Sequence, residues 1–103
     1  MNLTLIAETK KYAAFLRSSE KADGTIEKYM RDVHAFIVWL GDAEINKEKT
    51  VEWKEQLILN RHKPVTVNSM LSALNSFLKY IGKNDCRVKF LKIQRTMYRP
   101  ESK

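Results

Sequence analysis

Apolar residues recur along the chain at the three- and four-residue spacing of amphipathic helices. Glycine follows two of the periodic segments, at Gly41 and Gly82, where its tolerance of positive φ suits the end of a helix. Pro64 stands at the start of another segment, in the first turn, where no backbone N–H donor is needed. The pattern predicts four helices and no strand. Their expected bounds are about 3–18, 23–40, 47–60 and 64–81.

The second and fourth segments share one apolar template at a constant offset. The matching pairs are Ile26 with Val67, Tyr29 with Met70, Met30 with Leu71, Val33 with Leu74, Phe36 with Phe77, Ile37 with Leu78 and Leu40 with Ile81. Thr25 maps onto Thr66, so both segments carry a hydroxyl in their first turn. Any two amphipathic helices can align in this way, and we therefore interpret the match as shared architecture rather than as an internal repeat. Such helices with short connections pack as an antiparallel bundle or a closely related orthogonal one.

The first and third segments supply the rest of the expected core. Their apolar positions are Leu5, Tyr12, Phe15 and Leu16, then Val51, Trp53, Leu57 and Ile58. Thr50 is expected inside the third helix rather than at its cap. At 103 residues the chain has the length of one domain, and 44% hydrophobic residues exclude a disordered tail. No apolar run is long enough for a membrane span, and without a visible signal peptide we expect a cytoplasmic location.

Charge is distributed unevenly along the chain. Of the formal net charge of +7, residues 1–60 contribute −1 and residues 61–103 contribute +8. The basic residues of the second part are Arg61, Lys63, Lys79, Lys83, Arg87, Lys89, Lys92, Arg95, Arg99 and Lys103. This asymmetry favours a polyanionic partner, nucleic acid first and an anionic membrane second. The alternative is a solvated basic tail without a partner.

The polar face of the fourth segment is rich in Asn and Ser, where helix propensity would favour Glu, Lys or Ala. Its residues are Asn68, Ser69, Ser72, Asn75, Ser76 and Lys79. Because Asn and Ser are poor helix formers, their accumulation indicates that the face is used. Short hydrogen-bonding groups can approach phosphates and base edges in a major groove. The alternative is close packing against another helix through small residues.

Metal and cofactor sites are not expected. Cys86 is the single cysteine, and His34 and His62 stand far apart without metal-ligand companions. Neither a P-loop nor a Gly-rich dinucleotide turn is present. We therefore expect no cofactor and no structural zinc.

Two runs of sequence carry a family resemblance. The run KADGTIEKYMRDVHAFIVWL contains a hydroxyl, a Tyr, an Asp, an apolar residue and an aromatic residue, at Thr25, Tyr29, Asp32, Val33 and Phe36. With HKPVTVNSMLSALNSFLKYIG and the intervening TVEWKEQL, the chain resembles the N-terminal core-binding domain of tyrosine recombinases, or phage integrases, over nearly all of residues 3–82. The resemblance implies an all-α, four-helix orthogonal bundle of the SAM-like class that clamps one face of a recombination half-site.

In that family the second and fourth helices face DNA. The resemblance therefore implies DNA contacts by Lys21, Thr25, Lys28, Lys63, Thr66, Asn68, Ser69, Ser72, Asn75, Ser76, Lys79 and Lys83. Tyr29 is expected in the core, and Asp32 is expected to orient a basic neighbour. Residues 1–82 would form the DNA-binding domain and residues 83–103 a basic linker toward a missing catalytic domain. The implied partners are double-stranded DNA, the catalytic domain of the same parent chain and other recombinase protomers on DNA, with no membrane.

Strand cleavage in that family requires Arg, Lys and His side chains gathered around a nucleophilic Tyr. We do not find this constellation. Tyr98, next to Arg99, is a poor candidate because it has neither a general base nor an anion cradle. We therefore expect no catalytic residues in this chain. Two other hypotheses stay open: a helical protein-interaction module with an incidental basic tail, and a small enzyme with a concave polar pocket.

Overall fold

The computed structural model describes residues 3–92. This part of the chain contains helices and no strand, which confirms the predicted all-α class. A short 3-10 helix at Asn84–Cys86 follows the last α-helix. The predicted helix ends agree with the observed ones to within one residue. The four helices are α1 (Leu3–Ser18), α2 (Asp23–Leu40), α3 (Lys47–Leu59) and α4 (Pro64–Tyr80).

Local sequence explains where these helices begin and end. Asn46 caps α3, because its side-chain carbonyl accepts a hydrogen bond of 2.8 Å from the N–H of Lys49. Thr50 lies inside α3, as predicted. Gly41 and Gly82 have φ angles of 66° and 81°, a region that other residues rarely adopt, and they terminate the segments they follow.

One hydrophobic core lies between the four helices. It is densest where α2 and α4 pack against each other, with Phe36 and Phe77 both fully buried. The other apolar residues buried in the core are Leu5, Tyr12, Leu16, Ile26, Val33, Ile37, Leu40, Ile45, Trp53, Leu57, Val67, Leu71, Ala73, Leu74, Leu78, Cys86 and Val88. Tyr29 and Met70, which occupy the same template position, are half-buried against this core. The template shared by the two helices therefore marks their common buried stripe.

Three residues assigned to apolar stripes are more exposed than predicted. Phe15 is 46% exposed, because it lies at the edge of the α1 stripe and packs against the ring of Tyr80 at a centroid distance of 5.0 Å. Val51 and Ile58 also reach the surface, on the outer flank of α3. The inner side of α3 is occupied by Trp53, whose ring lies 5.8 Å from that of Phe36. The short helix α3 thus needs only a narrow buried stripe.

The packed body continues beyond Gly82. Cys86 and Val88 are both buried in the core. The hydroxyl of Thr50 lies 2.7 Å from the carbonyl oxygen of Cys86, which ties the 3-10 helix to α3. A linker beginning at residue 83 stays a prediction, but the first residues of that segment are fastened to the bundle. Tyr98 and the basic residues after Lys92 lie outside the described residues.

Candidate nucleic-acid interface

The N-terminal half of α2 lies beside α4, and the two helices run in opposite directions. At one end of this seam Lys21 shares a groove with Ser76 and Lys79. At the other end Arg31 shares a groove with Thr66. The structure therefore brings six of the twelve predicted residues together along this seam, with cations at both of its ends.

The first groove, of about 420 Å³, lies between α1, the start of α2 and α4. Its lining residues are Phe15, Ser19, Lys21, Ser76, Lys79 and Tyr80. Lys21 and Lys79 are exposed there. The hydroxyl of Ser76 accepts a 2.6 Å hydrogen bond from the buried hydroxyl of Tyr12, and burial raises the pKa of Tyr12. Ser76 is thus partly engaged within the fold, whereas the two lysines are open to solvent.

The second groove, also of about 420 Å³, lies between α2 and α4. Its lining residues are Lys28, Arg31, Asp32, Val65, Thr66, Ser69 and Met70. The ammonium group of Lys28 pairs with the buried carboxylate of Asp32 and donates a 3.3 Å hydrogen bond to the carbonyl oxygen of Ser69. Asp32 therefore orients a basic neighbour, as the sequence predicts. Lys28 is consequently less available for phosphate binding than the exposed Arg31, which the sequence reasoning did not select.

Asn68 and Asn75 lie on the other edge of the polar face of α4. Each side-chain amide donates a 2.9 Å hydrogen bond to a backbone carbonyl, of Leu91 for Asn68 and of Val88 for Asn75. Each amide oxygen accepts from the backbone N–H of the same residue, at 2.7 Å from Leu91 and 3.0 Å from Val88. This edge of α4 therefore packs against an extended segment, although the sequence-based alternative expected a helix there.

The remaining predicted residues occupy varied surroundings. Thr25 and Lys63 are exposed near the starts of α2 and α4. Ser72 is half-buried and lines a third groove with Arg87 and Lys89 of the C-terminal segment. Lys83 is half-buried and lines a separate groove of about 280 Å³. That groove is shared with Thr4, Leu5, Glu44 and Ile45. Lys83 therefore does not line either groove of the α2–α4 seam.

Three basic residues near the polar face of α4 were not selected from the sequence. Arg31 could have been found, because in the shared template it has the position in α2 that Ser72 has on the polar face of α4. Arg87 and Lys89 were assigned to the linker, and only the folded position of that segment brings them to the third groove. Among residues 3–92, no three His, Cys, Asp or Glu side chains form a candidate metal site. Within the same range no helix has the length and apolar character needed to cross a membrane.

A family model described as "Phage integrase, N-terminal SAM-like domain" matches residues 9–84. The matched range contains α2, α3, α4 and most of α1, and with them both grooves of the seam. No curated protein and no solved structure matches the chain.

Proposed function

The chain belongs to the family of phage integrase N-terminal SAM-like domains, and from this premise we propose that it is a core-binding, double-stranded DNA-binding domain of a site-specific tyrosine recombinase. In this proposal the domain grips a recombination half-site and carries no strand-cleaving residues. A catalytic domain of the same parent chain and other recombinase protomers on DNA are its protein partners. In the same proposal the protein acts in the cytoplasm.

The observation that carries the proposal is the placement of exposed cations at both ends of the α2–α4 seam. Arg31 lies eight residues after Asp23, the first residue of α2, or about 12 Å along the helix, and Lys21 lies two residues before that start. The major groove of B-DNA is about 12 Å wide, so cations at this separation can approach phosphates on both sides of it. Lys79 adds a second cation at the Lys21 end of the seam. Lys63, the residue just before α4, is close in sequence to the α4 residues at the Arg31 end.

Between these cations the seam presents short polar side chains. Ser69 and Ser72 are half-buried, and Thr66 is exposed. Such groups allow close approach to sugar, phosphate and base edges, whereas long charged side chains would hold a duplex away. The carboxylate of Asp32 lies in the same groove, but its charge is offset by Lys28. The local arrangement therefore favours a polyanion.

The test is a titration of fluorescent duplex DNA at several salt concentrations. If about four phosphates are neutralised, the slope of log affinity against log salt should be about −3.6. Lys21→Ala and Lys79→Ala should each reduce the slope by about 0.9 and weaken all duplexes equally. Lys54→Ala, on α3, is the matched control and should leave the slope unchanged. Absence of binding at low salt would contradict the proposal.

One observation favours a second candidate, a protein-interaction module. Ile58 and Leu59 at the end of α3 are 45% and 74% exposed, and Val38 of α2 is also exposed. Exposed apolar side chains contribute to partner surfaces when they form a contiguous patch. Under this alternative Leu59→Asp would abolish association with a protein partner and leave DNA titrations unchanged. The DNA-binding proposal expects no effect of this change on the slope.

A further inference from the structure

The two asparagines of α4 hold the C-terminal segment by its backbone. We call the pair Asn68 and Asn75, with their four hydrogen bonds to Leu91 and Val88, the asparagine ladder. Seven residues of α-helix advance by about 10.5 Å. Three residues of polyproline-like chain advance by about 9.3 Å. The two spacings nearly coincide, so both amides can bind the segment at once.

The geometry at the start of the segment agrees with this match. Arg87 has φ −65° and ψ 148°, the conformation of a polyproline-like chain. Its carbonyl oxygen accepts a hydrogen bond from the ammonium group of Lys47. The preceding carbonyl, of Cys86, is bound by Thr50. The segment is therefore fixed to both α3 and α4 through main-chain atoms, which leaves the polar ends of its basic side chains out of these hydrogen bonds.

Burial divides these side chains into two sets. Val88 is 6% exposed and points into the core. Arg87, Lys89 and Phe90 are exposed. Within the segment from residue 87 to residue 92 there are three basic residues and no acidic one. The ladder thus lays a fixed row of positive charge beside the polar face of α4.

We propose that Asn68 and Asn75 are positioning residues, which hold residues 87–92 so that Arg87 and Lys89 form a second row of phosphate-binding cations beside α4. The inference rests on the proposed DNA-binding function and extends its surface. It also gives the asparagines a role other than base reading. Bidentate pairing with adenine uses the amide oxygen and nitrogen, and in both residues these atoms are already engaged with the backbone.

A mask over the DNA-binding face is the opposite role for the same segment. Charge argues against it, because a mask against a polyanion would be expected to carry acidic groups that compete for the cations. The held segment instead adds cations to a face already bordered by the exposed Lys79. Ser72, between the two asparagines in sequence, lines the third groove and is not covered completely.

The experiment compares the full chain with the Asn68→Ala/Asn75→Ala double variant. Amide hydrogen exchange at Val88 and Leu91 should accelerate at least tenfold, because both N–H groups lose their acceptors. In salt titrations on several unrelated duplexes, the slope of log affinity against log salt should become less steep, by the equivalent of about one to two phosphate contacts. All duplexes should be weakened equally. His34→Ala, at the exposed position of α2 that corresponds to Asn75 in the shared template, is the matched control, for which neither measurement should change.

A second pair of variants keeps the test decisive even where loss of the ladder reduces stability. Arg87→Ala/Lys89→Ala leaves the ladder intact and should lower the slope by the same amount. Combining all four substitutions should cause little further loss, since the cations act only when the segment is held. An unchanged slope in Arg87→Ala/Lys89→Ala would overturn the inference.

Other outcomes separate the inference from the proposed function. Tighter DNA binding after removal of the asparagines would identify the segment as a mask and overturn the inference alone. Weakening confined to one preferred duplex, with the slope unchanged, would make the asparagines base readers and would also overturn it. A wild-type chain that binds no duplex at low salt would overturn the proposed function, and the inference with it.

Discussion

Helices α2 and α4 share one apolar template, yet their polar residues make different contacts in the fold. Both follow a residue in nearly the same extended conformation, Ala22 at φ −62°, ψ 147° and Lys63 at φ −64°, ψ 148°. Phe36 and Phe77 are fully buried at equivalent positions. The two helices therefore start with the same geometry, and their shared apolar pattern gives each of them a buried stripe, whatever the polar residues between the apolar ones.

The polar positions distinguish the two helices. Where α4 carries the ladder residues Asn68 and Asn75, α2 carries Glu27 and His34, and both of these are exposed. Asn has a donor and an acceptor at fixed separation and can bind an extended backbone at both, whereas a carboxylate only accepts. The comparison teaches that the apolar stripe determines which side of a helix is buried, while the polar residues determine whether another segment of chain packs on the opposite side.

A second difference lies at the buried edge of the template. Asp32 of α2 is 8% exposed, and the equivalent residue of α4 is the fully buried Ala73. A carboxylate is accommodated in α2 because Lys28, one turn earlier, pairs with it. In α4 the residue one turn earlier is Ser69, whose carbonyl oxygen binds the same lysine. Lys28 thus joins the two helices at the point where their templates diverge.

The largest expected effect tests the shared part of the comparison. Phe36→Ala and Phe77→Ala should each lower the free energy of unfolding by about 3 to 5 kcal/mol, because each removes a fully buried ring. Urea denaturation followed by tryptophan fluorescence measures both. Val38→Ala, at an exposed position of α2, is the control and should change stability by less than about 0.5 kcal/mol. A loss below about 1 kcal/mol in only one phenylalanine variant would break the equivalence of the two stripes.

The next effect tests the difference between the polar faces. Asn75→Ala should lower the free energy of unfolding by about 1 to 3 kcal/mol, because it removes two hydrogen bonds and leaves the N–H and carbonyl of Val88 without these partners. His34→Ala, at the equivalent exposed position of α2, should change it by less than about 0.5 kcal/mol. Thermal melts of the two variants decide the matter. Equal losses would mean that the ladder contributes no more than an ordinary surface residue.

The smallest effect concerns the contact between α1 and α4. Tyr12→Phe should cost about 1 kcal/mol at neutral pH, because the hydroxyl of Tyr12 donates to Ser76. The template equivalent of Ser76 in α2 is Ala35, which has no hydroxyl. Ser76→Ala should therefore lower the free energy of unfolding by a similar amount, and it gives α4 the alanine that α2 has at this position. A stabilising effect of either change would contradict the role assigned to this hydrogen bond.

The same tyrosine makes stability depend on pH. Burial raises the pKa of Tyr12 above its ordinary value of 10.0. Its neutral form is therefore favoured in the fold, and its contribution is fully present below pH 10 and lost as pH rises through the folded pKa. Denaturation at pH 8 and at pH 10.5 should show a smaller fall for Tyr12→Phe than for the wild type. Burial also raises the pKa of Cys86, so part of the fall should persist in the variant.

Most of the helical framework could be predicted, and the exceptions have physical causes. Gly41, Gly82 and Pro64 act through their own backbone preferences, so the ends of α2 and α4 follow from short stretches of sequence. Phe15 and Ile58 were expected in the core because periodicity identifies an apolar side of a helix without saying how wide the contact on it will be. The width depends on how closely the neighbouring helices approach.

The candidate interface was predictable in part. Lys21 and Lys79 were selected, and the structure places them in one groove. Lys83 was selected with them, but the turn after Gly82 directs it to a different groove, beside Glu44. Direct DNA contact by any of these residues stays a prediction. Charge counts identify the cationic half of a chain, but they do not tell which surface each cation reaches.

The sequence by itself determined the four helices, their ends and the buried stripe shared by α2 and α4, since all of these depend on residues within a few positions of one another. Only the tertiary structure decided what the polar face of α4 contacts. Asn75 meets a residue 13 positions later, and Asn68 meets one 23 positions later. The side chain of Asn can cap a helix, bind a base or hold a backbone with the same two atoms. Which of these partners it meets depends on the path of the chain through space, and periodicity carries no information about that path.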